Sequence, residues 1–152
     1  MKSYLVTILS LLCFGFSAQA HEGHQHNKEM ENVLQKYLKI QESLANDTLV
    51  GVQEAAHVIL KASMQLTGEE KKSSKDLMTA GGALAKAKTV SEAREAFKKL
   101  SLPVVAYTER TKPEGVEVLF CSMAKAKWVQ KKGDVKNPFY GKEMQTCGEK
   151  AQ

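Results

Sequence analysis

The chain has only three cysteines. Beyond its first sixteen residues, no segment approaches the roughly 18 apolar residues that a membrane helix requires, so no membrane span is expected. The marks of common enzyme chemistries are also missing. There is no G-x-S-x-G, no H-E-x-x-H, no C-x-x-C-H and no phosphate-cradling glycine loop, and the chain is expected not to be an enzyme. It has no basic patch interleaved with aromatics. The lysines are spread along helical faces in GEEKKSSKD, REAFKKL and KAKWVQKK, which reads as a solvated surface and argues against a nucleic-acid partner. No repeat of solenoid length is present.

What is present begins with an address. Met1-Lys2, the apolar run Tyr4 to Phe16 and the small residues Ala18 and Ala20 describe a secretory signal peptide over residues 1–20, cleaved before His21. Cys13 lies in the apolar run without the small residues a lipoprotein site needs, and is expected to be discarded with it. The expected location is the periplasm. About 132 residues then remain, enough for one domain with a modest core. Without Lys2 that mature chain has 21 basic and 17 acidic side chains, a formal charge of +4.

Residues 21–27 contain His21, His24 and His26 and no apolar side chain. They are expected to form a disordered tail able to capture Cu(II), Zn(II) or Ni(II), since neutral imidazole suits all three. From Lys28 the pattern is helical. Met30, Val33, Leu34, Tyr37, Leu38, Gln41, Leu44 and Ala45 make one stripe, broken at Asn46-Asp47-Thr48. A second helix has Leu49, Val52, Ala56, Ile59, Ser63 and Leu66 inward, with His57 beside that face as a weak ligand candidate. A third, from Ser73 or Ser74, runs through Leu77, Met78, Leu84 and Ala87. Gly81-Gly82 interrupts it, implying a bend or a neighbour packed on bare backbone. The capping-box pattern Thr89-Val-Ser-Glu92 opens a fourth helix with Ala93, Ala96, Phe97 and Leu100 inward, which Pro103 should kink or restart. The expected fold is mainly α, an antiparallel bundle of about four helices spanning one domain, 28–150.

After the turn signal Lys112-Pro113-Glu114-Gly115, the alternation of Val116-Glu-Val118-Leu119-Phe120 predicts a short strand delivering Cys121. With Trp128 on a second short strand and turn formers at Asn137-Pro138 and Gly141, residues 116–148 read as a small cap on the bundle. Arg94 and Tyr140 are candidate anchors between cap and bundle.

Three runs of residues then carry a resemblance. They are Arg94-x-x-Phe97-x-x-Leu100-Ser101, Cys121-x-Met123-Ala124 with Trp128, and Asn137-Pro138-Phe139-Tyr140-Gly141-x-x-Met144-x-x-Cys147-Gly148. Together they resemble a secreted bacterial domain-of-unknown-function family, number 3347, found alone and fused to CusB-like membrane-fusion subunits of copper and silver efflux pumps. The likeness runs from about Val33 to Gly148 and is most specific in the last thirty residues. Two departures are Ser122, where the family usually has proline, and Phe139, where it has tyrosine. The resemblance implies a periplasmic helical domain in a heavy-metal context; an efflux-pump or other envelope protein is a candidate partner.

The chemistry rests on sulfur. Cys121 and Cys147 are the thiols left after export, in a compartment where a disulfide is the default. A staple closing that loop would contribute about 3.5 kcal/mol in the chain-entropy model. Met123 and Met144 add thioethers, and C-x-M with M-x-x-C gathers four soft donors of the kind that select Cu(I). Methionine also fills irregular cores, so the pair could instead pack on Trp128 or Phe139. The expected function is copper binding in heavy-metal handling or efflux, at Cys121, Met123, Met144 and Cys147 with His21, His24 and His26 for capture. The alternative is a disulfide-stapled envelope interaction module without metal.

Overall fold

The computed structural model describes residues 28–151. The expected leader (1–20) and histidine tail (21–27), with His21, His24 and His26, lie outside them. Helix α1 (Lys28–Ala45) buries its whole predicted stripe and Ile40 as well. It closes with two bonds, Thr48 N–H to Ser43 O (3.1 Å) and Asp47 N–H to Leu44 O (3.2 Å), the pattern of a Schellman motif. The residue forced into the left-handed region is Asp47, at φ 58°, where glycine is the usual occupant. Asp47 must therefore offer something glycine cannot.

Helix α2 (Val52–Gln65) begins after a left-handed Gly51, three residues later than the apolar pattern opened; Leu49 stays outside the helix but packs on the core. A 3-10 turn (Gly68–Ser73) leads into α3 (Ser74–Lys86). The glycine pair does not interrupt α3. A Cβ on Gly81 would lie 3.4 Å from Leu60 Cγ and 3.6 Å from the Ala56 carbonyl oxygen, so α2 packs closely over bare backbone there. Helix α4 (Val90–Thr111) starts as its sequence predicts: Thr89 Oγ1 accepts from Glu92 N–H (3.2 Å), and Glu92 Oε2 accepts from Lys88 N–H (2.8 Å). The expectation of a restart at Pro103 is corrected. The helix runs through it for 22 residues, because Pro103 is buried with Leu100, Val104 and Tyr107 on the face that meets the rest of the molecule. Packing there outweighs the one lost N–H donor.

The four helices form an antiparallel bundle whose core is continuous with the cap. Strands β1 (Val116–Cys121) and β2 (Ala126–Lys131) make a hairpin with Leu119 opposite Trp128 and Cys121 opposite Ala126. A third strand, β3 (Glu149–Lys150), adds to the other edge of β1, with Phe120 opposite Glu149. An aromatic series joins bundle to cap. Tyr37 stacks on Phe97 at 4.6 Å between centroids, Phe97 meets Phe139 at 6.2 Å, and Phe139 meets Trp128 edge-on at 5.8 Å. Among the described residues no helix is long and apolar enough to cross a membrane.

Candidate functional site

Cys121 ends β1, and the pairing of β1 with β3 brings the chain just before Glu149 back alongside it. The two sulfurs consequently sit 3.5 Å apart, unbonded, although 26 positions separate them in sequence. Cys121 is fully buried and Cys147 half-buried. The hairpin turn after Cys121 folds back so that Ala124 N–H donates to its Sγ at 3.4 Å. Lys98 from α4 holds that turn by donating to the Ala124 carbonyl at 2.5 Å.

These contacts make the thiols unequal. Burial pushes the Cys121 thiol up, but donors from the Ala124 N–H, the Asn137 side chain, Cys147 and the Met123 N–H outweigh it, so its pKa falls below the ordinary 9.0. Cys147 moves the other way. Its proton is held by the Cys121 sulfur, and burial and the neighbouring thiolate charge add to the rise above 9.0. Of the two, Cys121 is the one whose surroundings favour the thiolate, the form that both attacks and ligates.

The wall behind the pair is built by the loop between β2 and β3. Asn137 is completely buried; its amide donates to the Cys147 carbonyl (2.6 Å), and its Oδ1 accepts from Phe139 N–H (2.8 Å). The Asn137 N–H donates to the Gln145 carbonyl at 2.8 Å. Gly148 lies against Trp128, where any Cβ would overlap the indole.

The loop is tied to the bundle at the C-terminal end of α1. Arg94 donates to the carbonyls of Pro138 (3.0 Å) and Leu44 (3.0 Å) and to Asp47 Oδ1 (2.5 Å). Asp47 Oδ2 accepts from Lys142 N–H (3.1 Å), and Gln145 donates to the Ala45 carbonyl (3.2 Å). Gly141, at φ 59°, has Asp47 and Arg94 where its Cβ would be. This explains a left-handed aspartate in place of glycine, since its carboxylate anchors both Arg94 and the loop. Arg94 is thus the expected anchor, while Tyr140 enters through packing on the core.

Of the expected ligands, the fold brings Cys121 and Cys147 together. Met144 is half-buried one turn before Cys147, whose N–H donates to the Met144 carbonyl at 3.0 Å. Met123 is 62% exposed, so it does not fill the core against Trp128 or Phe139. His57 is exposed on α2. Sequence reasoning missed Asn137 as more than a turn former and Lys98 as a support. The Asn-Pro pair was the available signal for the first, and nothing marked the second among so many lysines. Among the described residues no three His, Cys, Asp or Glu side chains gather as a metal-holding group.

A family model described as a protein of unknown function (DUF3347) matches residues 33–115, the bundle up to the start of β1. No curated protein and no solved structure matches.

Proposed function

The chain belongs to the DUF3347 family of proteins of unknown function, and from its own residues we propose that it binds copper at the Cys121–Cys147 pair and acts in periplasmic heavy-metal handling or efflux. The observation that carries this reading is the reduced pair itself: two thiols 3.5 Å apart, one of them surrounded by hydrogen-bond donors that favour its thiolate. A tetrahedral ion about 2.3 Å from each sulfur would set the two sulfurs roughly 3.8 Å apart, so little movement is needed to seat one. Met144, and Met123 swinging in from solvent, would complete a sulfur-only set. Such a set favours a soft monovalent ion over zinc. His21, His24 and His26 would capture Cu(II) separately from the thiol site.

The test is competition for Cu(I) between the reduced chain and a chromogenic chelator. One ion per chain is expected, with at least a tenfold loss of affinity in Cys121→Ser or Cys147→Ser and a smaller loss in Met144→Leu and Met123→Leu. Binding that ignores all four changes would falsify the site. The second reading, a stapled envelope interaction module without metal, is supported by the same separation, because the sulfurs need approach by only about 1.5 Å to bond. Thiol titration of protein taken directly from the envelope fraction distinguishes the two: no free thiol and no metal favours the staple.

A further inference from the structure

We propose that the groove between α4 and the β1–β2 hairpin docks an acidic amphipathic segment of a partner protein; this rests on the groove alone and is independent of the copper reading. The groove has a volume of about 510 Å³, within the range of built ligand sites. Its floor is apolar. Val105 is buried, Phe120 is half-buried, and Leu102 stands beside them with 72% of its surface in solvent, where a docked segment could cover it.

Its two rims are cationic. Lys98 and Lys99 stand on the α4 side, Lys125 and Lys127 on the hairpin side. Lys98 is engaged with the Ala124 carbonyl, and Lys127 pairs with Glu109 at 2.7 Å. Among the described residues Lys99 and Lys125 have no ion pair, and Glu95 is the acidic side chain in the lining.

Charge on both rims decides the occupant. A fatty acid or a single lipid headgroup carries its charge at one end and meets one rim, leaving the other unanswered. A flat anionic bilayer would meet the lysines but could not follow the recess to Val105 and Phe120. An apolar stripe flanked by carboxylates on both sides fills the floor and answers both rims together. Such complementarity sets partner choice and association rate more than raw affinity.

The experiment titrates the ¹⁵N-labelled chain with a synthetic 16-residue peptide carrying leucines at i, i+3, i+4 and i+7 and glutamates along both flanks. Amide shifts are expected at Leu102, Val105, Phe120 and Ala126. The double variant Lys99→Glu, Lys125→Glu should bind this peptide at least tenfold more weakly and bind its lysine-for-glutamate counterpart instead. That exchange of preference cannot come from a misfolded variant. Leu102→Asp, an exposed change, should lose binding with its thermal midpoint kept. The proposal fails if the parent chain binds both peptides equally, if shifts fall elsewhere or are missing at millimolar peptide, or if laurate or phosphatidylglycerol vesicles displace the peptide from the groove.

Discussion

Arg94 connects three parts of the chain that are far apart in sequence: the end of α1, the Asp47 corner and the loop behind the thiols. Replacing it with methionine keeps the stem and leaves the Leu44 and Pro138 carbonyls without a donor, a cost of about 2 kcal/mol, measurable by urea unfolding. The Arg94 hydrogen bond, followed by that of the Lys142 N–H, holds the Asp47 carboxyl below its usual pKa of 3.8. A depressed pKa means stability that is present above the unfolded value and lost as pH falls through the folded one. The stability difference between the parent and Asp47→Asn should therefore be full at pH 6 and shrink below about pH 4, as followed by unfolding at each pH. At the thiols the protons decide affinity. Because the Cys121 sulfur and burial raise the Cys147 pKa, a Cu(I) ion bound there as proposed would have to displace its proton, and apparent affinity is then expected to climb with pH across the neutral range. A flat pH profile would mean that Cys147 is not a ligand.

At the level of elements, the two glycines of α3 separate by what a Cβ would meet. Gly82 has nothing within 4 Å, whereas Gly81 faces Leu60 and the Ala56 carbonyl. Gly82→Ala should stabilise by about 0.5–1 kcal/mol through helix propensity. Gly81→Ala should gain less or lose, since α2 must yield a few tenths of an ångström. Calorimetric midpoints of the two variants check the order. The helices themselves were readable because burial on one side repeats every three or four residues, and the α4 start because a capping box is local. Pro103 misled for a physical reason: its local cost is real, but neighbours unseen in the one-dimensional pattern hold the helix together. The two-residue strand β3 was invisible, because Glu149-Lys150 shows no alternation and pairs only because β1 offers it an edge.

The whole molecule is a bundle that supplies a rigid base and a cap that carries sulfur. Core packing from Tyr37 through Phe97 and Phe139 to Trp128 makes the two unfold together, so reduced protein should show one cooperative transition. Oxidising the thiols to a disulfide should raise the unfolding free energy by about 3.5 kcal/mol at most and abolish Cu(I) binding, read by denaturant midpoint and chelator competition on the same sample. Deleting residues 21–27 should remove most Cu(II) uptake and leave the proposed Cu(I) binding at the thiols unchanged, a separation that isothermal titration with each ion would reveal or refute. Intact mass from the envelope fraction, starting at His21, checks the expected processing.

The sequence by itself determined the helices, their inward faces, the first strand and the candidate donors, because periodicity, caps and turn residues act over a few positions. It also determined which soft atoms exist. It left open whether Cys121 and Cys147 meet, which methionine stays in solvent, and why Asp47 occupies a glycine position. Tertiary structure decided those, since each depends on groups up to about a hundred positions apart: β3 against β1, Arg94 against the end of α1, Gln145 against Ala45. The groove of Leu102 belongs to the same class, because an apolar floor between two lysine rims exists only once α4 lies beside the hairpin.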